Sequence, residues 1–577
     1  MKDWRIVWAL AVSMLAPVPA ACIRDADLII HHAKIYTSDK SNLRASALAV
    51  KDRLIMKIGT DRVVLALKGP KTRVIDARGK VLVPGLVDNH AHPLFVGAFQ
   101  KATVDIFELK TKQDVIQNLA AFLQEHPEMP YLIGFSWHYQ SPITVSDLDA
   151  VSREIPIVIW AYDAEGGSAN SLALQLLLED PGEYRKLGGQ YNEQGRPTGQ
   201  FIYFHQFNPF KSFKPWFVAQ RRWEKVMELA LAGMDEMLTE ALRNGVTTVN
   251  DVQIYPELMP LILEFKARGG FEKIRVRGSW NVSESCLDDE QAFIDGLEAW
   301  IKAGQEHSDE HLILGNAVKM YMDGGAGTYT AWLSESYADR PGYTSGPLWD
   351  VQKFKRVMEI FDRYDLQVQT HACGDAAVHA VIDGYAHVHR PQGPNLRHRI
   401  EHAEFFMPGD MQRMAALEIY AAMMPTHFFG DETVKRTLGK KRIPEMMPWK
   451  TMAKAGIHVS FGSDRCISNP WSPFAGILVA NRRIFYDLLT NPGKHNAISV
   501  EDALYYYTYG SAEALCMEDM VGSLAVGKRA DMVILTVDGL DDLVSMWTIM
   551  RTFFDYDYGV NFVEKTFVDG VAVFERE

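Results

Sequence analysis

The chain has 577 residues, 47% hydrophobic and 23% charged, an ordinary globular composition that excludes disorder, collagen and coiled coil. Lys plus Arg is 60 and Asp plus Glu is 73, for a net charge of −13, a poor balance for binding nucleic acid. The 5 cysteines are widely spaced, which excludes a disulfide scaffold and a Cys-rich zinc module. At the N-terminus, Lys2 and Arg5 precede an apolar run from Ile6 to Ala16 and the small-residue stretch Pro17-Val-Pro-Ala-Ala-Cys22. A basic flank, a short apolar core and a small-residue exit describe a secretory signal peptide over residues 1–21, with cleavage near Ala20. The core is too short for a membrane span. An uncleaved anchor or a misplaced start is the plain alternative. Cys22 raises a lipid anchor, although Pro19 stands where a lipobox carries Leu. No other segment reads as transmembrane, so the expectation is an exported protein of the bacterial periplasm.

Residues 25–85 read as short strands broken by Asp, Lys and Gly. Residues 515–577 look similar, with Asp569-Gly570 as a hairpin turn. The two ends together predict one discontinuous β-sandwich domain. Between them, residues 86–514, with the strand that leads into them, carry eight apolar runs that end in polar residues: Val81–His92, Thr247–Asp251, Ile274–Val282, Ala317–Asp323, Leu366–Asp375, Leu396–Glu404, Ile419–His427 and Ile457–Asp464. Amphipathic helix-length segments such as Val351–Tyr364 separate most of them. Strand alternating with helix predicts an α/β fold with a parallel sheet, and eight strands predict a TIM-like (β/α)8 barrel. About 150 residues separate the first two strands, far more than a βα loop needs, so residues of about 100–240 read as an inserted subdomain.

The strongest chemical signal is Pro84-Gly-Leu-Val-Asp88-Asn-His90-Ala-His92. Side chains at i and i+2 of a strand share a side, so His90 and His92 can converge on one metal. The fifth run supplies His371, the sixth His402 and the eighth Asp464, each at the C-terminal end of an apolar strand, where barrel active sites assemble. Singly, each reads as a core histidine or a capping aspartate; jointly they read as metal ligands suited to zinc, with manganese or iron as alternatives. The fourth run buries Lys319, which is costly as an ammonium. Either it snorkels or pairs with Asp323, or CO2 converts it to a carbamate able to bridge two cations.

These residues together resemble the amidohydrolase superfamily, in the branch that contains N-substituted formamide deformylases. The likeness runs from the N-terminal β unit to Gly527-Lys-Arg-Ala-Asp531-Met-Val-Ile. It implies two divalent metal ions, His90 and His92 on one and His371 and His402 on the other. By the same resemblance a carbamylated Lys319 bridges them, and Asp464 both binds the first metal and moves the proton. There are departures. Glu165 stands where the family has a histidine before Asn170-Ser-Leu-Ala-Leu174, and Gly325 and Tyr329 stand where relatives tend to have Ser and Arg.

His427, at the end of the seventh run, could polarise a substrate carbonyl or be a satisfied structural histidine. His458 starts the eighth strand, at the wrong end for catalysis. Cys373 and Cys466, each two residues beyond a proposed ligand, are either inert thiols or a disulfide pair. Tyr505-Tyr-Tyr507 reads as core. The expected activity is hydrolysis of a non-peptide C–N bond in a small molecule, with water acidified by the metals and Asp464 accepting its proton. The alternatives are an esterase or lactonase on the same site, or a non-catalytic periplasmic binding protein. Neither the substrate nor the oligomeric state, a homo-oligomer included, is written in these patterns.

Overall fold

A computed structural model describes residues 25–137, 142–161, 166–202, 207–430, 432–465, 471, 473–485, 490–545 and 561–577. The signal-peptide segment, Cys22, Glu165 and Cys466 lie outside the described residues.

Eight parallel strands follow one another around the centre: β1 Leu86–Ala91, β2 Val246–Ile254, β3 Arg275–Asn281, β4 Ala317–Tyr321, β5 Gln367–Ala372, β6 Arg399–His402, β7 Tyr420–Met423 and β8 Val459–Phe461. Each pairs in parallel with the next from β1 to β8. The last seam closes by backbone contacts. The Asp464 N–H donates to the His90 carbonyl at 2.8 Å, and the His92 N–H donates to the Arg465 carbonyl at 2.8 Å. A side chain at Gly462 would bring a Cβ within 2.7 Å of Asn89 Oδ1 and 2.8 Å of the His90 nitrogen, so only glycine lets β8 lie this close to β1.

Strands β1 and β2 are buried along their whole length, as parallel strands covered on both faces must be. The barrel interior is nonetheless polar. Asn250 Nδ2 donates to Gln369 Oε1 at 3.0 Å, Asn89 Nδ2 to Ser460 Oγ at 2.5 Å and Arg277 Nη1 to Gln367 Oε1 at 2.6 Å. Each buried group is held by a neighbour from another strand, which offsets the cost of removing it from water. The apolar core lies outside this layer, between the strands and the surrounding helices, with Val249, Val318, Val368 and Ile400 on the strand side and Phe354, Val378 and Ile477 on the helix side.

Both chain ends meet in one six-stranded sheet, made of Lys34–Tyr36, Arg44–Ala45, Val81–Pro84, Met532–Leu535, Val563–Val568 and Val571–Glu575. The turn in its last hairpin is Asp569-Gly570, both with positive φ (53° and 76°), the conformation that sequence favours. A four-stranded sheet of Leu28–His31, Ala47–Lys51, Leu54–Gly59 and Arg73–Asp76 shares a core with it, including Ile30, Leu48, Ile55, Met532 and Phe567. Between β1 and β2, five strands from Thr103–Asp105 to Gln200–Phe201 form a separate sheet with its own core around Leu119, Leu132 and Ile157. Among the described residues no helix is long and apolar enough to cross a membrane.

Candidate metal centre

The C-terminal ends of β1, β4, β5, β6 and β8 bring the predicted side chains to one buried place. His90, His92 and Asp464 offer donor atoms that all lie within 4.8 Å of one another. His92 Nε2 is 2.9 Å and His90 Nε2 3.6 Å from Asp464 Oδ1. The His371 and His402 rings are tilted against each other with centroids 4.3 Å apart, and His402 lies 5.1 Å from the His90 ring, so the two groups are adjacent. Lys319 Nζ sits beside His90 Nε2 at 3.3 Å. His427 stacks on His402 with centroids 5.3 Å apart and points Nε2 at Asp464 Oδ2, 3.4 Å away.

The local backbone is bent to achieve this. His402 and Asp464 both take left-handed conformations, with φ of 70° and 55°. Such positions cost a side-chain-bearing residue about 1–3 kcal/mol each and persist where surrounding contacts over-determine them. Asp88 supplies some of those contacts. Fully buried, its carboxylate accepts the N–H groups of His90 and Ser463 and the Trp471 indole N–H at 2.7 Å, tying β1 to the segment that carries Asp464. Burial pushes the Asp88 carboxyl up to about 6, against the pull of these donors. Asp251, at the end of β2, accepts the N–H of Leu94 at 2.7 Å and so fixes the turn that follows His92.

Three groups in the site, Glu401, Arg399 and Glu404, were not among the predicted residues. Glu401 is fully buried one residue before His402, and its Oε2 lies against His90 Nδ1. A carboxylate there accepts the Nδ1 proton, which leaves the His90 Nε2 lone pair facing Asp464 and Lys319. Arg399 grips the same carboxylate through Nε at 2.8 Å and Nη2 at 3.0 Å. Period-two placement of Arg399 and Glu401 in a buried strand was the available signal. Glu404, buried beside His402 and His427, is pushed up to about 8 by burial, with Asp323 adding to the effect. The Cys373 thiol is 3.5 Å from His371 Nε2.

Asp323 is not placed to pair with Lys319: its carboxylate accepts the N–H groups of Trp332, Cys373 and Gly374. Lys319 is itself completely buried, and burial brings its pKa down to about 8, with Glu401 and Asp464 pulling the other way. Burial holds His90 and His402 well below the ordinary imidazole range, so both present neutral nitrogens. Burial drives the Asp464 carboxyl toward its acid form, but His90, His92 and His427 together outweigh that and hold it well below the usual carboxylate range. Tyr329 occupies a left-handed position with φ 62°, under the Arg340 guanidinium at 3.4 Å, and its hydroxyl donates to Asp339 at 2.6 Å. His458 pairs with Glu513 at the far end of β8, and Tyr507 is core.

The donor set fits divalent cations. Neutral imidazoles and one ionised carboxylate are the ligand chemistry of zinc, manganese and iron. His90 Nε2 and Asp464 Oδ1, both lone-pair donors at 3.6 Å, suit a shared cation, and the buried His402 Nδ1 has no hydrogen-bond partner among the described residues.

A model of the amidohydrolase family matches residues 73–574. The chain is 28% identical over 562 residues to the protein LONG AFTER FAR-RED 3 of Arabidopsis thaliana, covering 93% of this chain and 91% of that one. It is 24% identical over 584 residues to an N-substituted formamide deformylase of Arthrobacter pascens, covering 95% and 98%. Among solved structures it shares the fold of an uncharacterized metal-dependent hydrolase from Pyrococcus horikoshii OT3, with a TM-score of 0.69 at 23% identity over 88% of this chain and 97% of that one.

Proposed function

The chain belongs to the amidohydrolase family of metal-dependent hydrolases acting on C–N bonds, and on that premise we propose that it cleaves a non-peptide amide in a small molecule. The observation that carries this reading is the convergence of His90, His92, His371, His402, Lys319 and Asp464 at the barrel mouth. In this reading His90, His92 and Asp464 would hold one cation and His371 and His402 a second, zinc in each case. Lys319, carboxylated by CO2 with loss of a proton from nitrogen, would add an anionic ligand for these cations. Its buried, easily deprotonated amine and its place beside His90 support that role. Bound divalent cations would supply Lewis acidity, which lets water ionise near neutral pH and polarises a carbonyl.

The chain's own residues do the rest. Asp464 accepts the proton of the attacking water at a carboxylate oxygen and returns it to the leaving nitrogen. His427, whose Nε2 lies 3.4 Å from Asp464 Oδ2, donates to the developing oxyanion. Glu401 keeps the His90 proton on Nδ1. The sheets at the two chain ends act as a composite β-sandwich bracing the barrel, and the residues of about 100–240 as an inserted subdomain shaping the substrate side.

Metal analysis with a hydrolysis screen tests the proposal. Stoichiometric divalent metal and turnover of N-formyl or N-acetyl amines, lost to chelators and restored by metal, are expected. Turnover of esters or lactones alone would reassign the bond, and metal without any turnover would favour a binding protein.

A further inference from the structure

Beside the metal centre, above the ends of β2, β3 and β4, lies a cleft of about 50 Å³ bordered by Lys186, Tyr255, Asn281, Tyr321 and Glu284. Tyr321 joins the two places. Its ring centroid is 5.2 Å from that of His371, and Lys319 Nζ lies 4.7 Å above it. A molecule with its carbonyl among the metal ligands therefore reaches the cleft by passing one tyrosine ring.

The cleft is built for an anion. Lys186, from the short helix Pro181–Lys186 between β1 and β2, has no hydrogen bond or ion pair among the described residues. Of the nearby acids, Glu183 and Glu284 are already engaged, and Glu257 acts on Lys186 only from beyond ion-pair distance. Glu183 holds Lys211 at 2.5 Å, and Glu284 accepts the Asp350 N–H at 2.6 Å and Lys353 Nζ at 2.8 Å. The Tyr255 oxygen accepts Gln253 Nε2 at 2.9 Å and Asn281 Nδ2 at 2.8 Å, which leaves its own proton for a group in the cleft. Burial raises the Tyr255 pKa, keeping that proton in place, and burial lowers that of Lys186, as expected of a cation without a close partner. Room for only a few water-sized groups suits a carboxylate rather than a ring.

Resting on the amide-hydrolase reading, we propose that Lys186 and Tyr255 form a carboxylate subsite, so that the substrates are amides bearing a carboxylate one tyrosine ring away from the cleaved bond. Calorimetry on the metal-loaded protein tests it with ketones that cannot be hydrolysed: 4-oxopentanoate and 5-oxohexanoate against the neutral 2-pentanone and 2-hexanone. A charge-assisted contact predicts that the acids bind roughly 10–100-fold tighter than their neutral partners. That preference should collapse in Lys186→Met, survive in part in Lys186→Arg and weaken in Tyr255→Phe. Acids that bind no better than ketones, or a preference that persists in Lys186→Met through direct metal contact, would overturn the subsite. A Lys186-dependent preference in a protein that turns over no amide would leave the subsite standing and sink the proposed reaction. Amide turnover without the preference would do the reverse.

Discussion

Glu401→Gln is the sharpest probe of how the proposed first metal position is set. The carboxylate is fully buried and receives Arg399 Nε at 2.8 Å and Nη2 at 3.0 Å on one side and His90 Nδ1 on the other. An amide keeps one acceptor and gains a donor. If its oxygen stays with Arg399, its NH2 faces His90 Nδ1, which must then accept, and the ring proton moves to Nε2, the atom 3.6 Å from Asp464. A proton there blocks the lone pair that a metal needs. If the amide turns the other way, a donor faces the buried guanidinium, whose Nη1 already has no partner among the described residues. Loss of a partner that orients a ligating histidine costs about 10–100-fold in metal affinity, which is ~1.4–2.8 kcal/mol. Breaking a buried ion pair costs about 3–5 kcal/mol in stability. Chelator competition should show the first, and thermal unfolding of the metal-free protein the second. A Glu401→Gln protein that holds metal with wild-type affinity would refute the tautomer argument.

Three further outcomes follow from the proposed roles. Asp464→Asn should lower kcat by about 10²–10⁴-fold in steady-state assays with substrate binding less affected, and near-wild-type kcat would make Asp464 structural only. Lys319→Ala should lose metal and activity, with partial recovery from short carboxylic acids or bicarbonate plus excess metal; an unmodified lysine tip in the crystal density of an active, fully metallated enzyme would rule out the bridge. Native protein from the exporting cell should begin near Ala21 or Cys22 by N-terminal sequencing, and a full-length cytoplasmic product would contradict the signal peptide.

The proposed histidine and aspartate ligands were legible because each sits where an apolar run stops, a pattern that survives translation into one dimension. His90-x-His92 could be read from strand period alone. What holds the ligands was harder to see. Asp88 and Asp251 act across seams between neighbouring strands of the closed barrel, so their partners, Ser463 and Leu94, are remote in sequence. The Lys319–Asp323 pairing looked natural from proximity, yet four residues of extended chain span about 13 Å, and Asp323 belongs to the loop beyond β4. Arg399 and Glu401 could have been found, since two opposite charges at period two in a buried strand must satisfy each other or a neighbour. Lys186 could not: nothing in the helix Pro181–Lys186 marks it, and its meaning comes only from the cleft that β2, β3 and β4 leave open.

The β1–β8 seam carries both the closure of the barrel and the proposed first metal position, so a perturbation there should couple the two. Gly462→Ala is the smallest such change. Its Cβ would lie 2.7 Å from Asn89 Oδ1, a side-chain tip, and also 2.8 Å from the His90 nitrogen and 2.9 Å from His90 Cβ, which are fixed to the strand. Relief requires β8 to back away, which stretches the 2.8 Å contact from the Asp464 N–H to the His90 carbonyl and carries the carboxylate away from His92. Overpacking of this kind costs about 1–3 kcal/mol. The variant should therefore fold with a lowered unfolding midpoint and bind its first metal more weakly. His371 and His402, on β5 and β6, lie outside the seam, so the second metal should be held nearly as before. Titration with metal followed by calorimetry resolves the two sites. Equal weakening of both, or of neither, would show that the seam does not set the geometry of the ligands it joins.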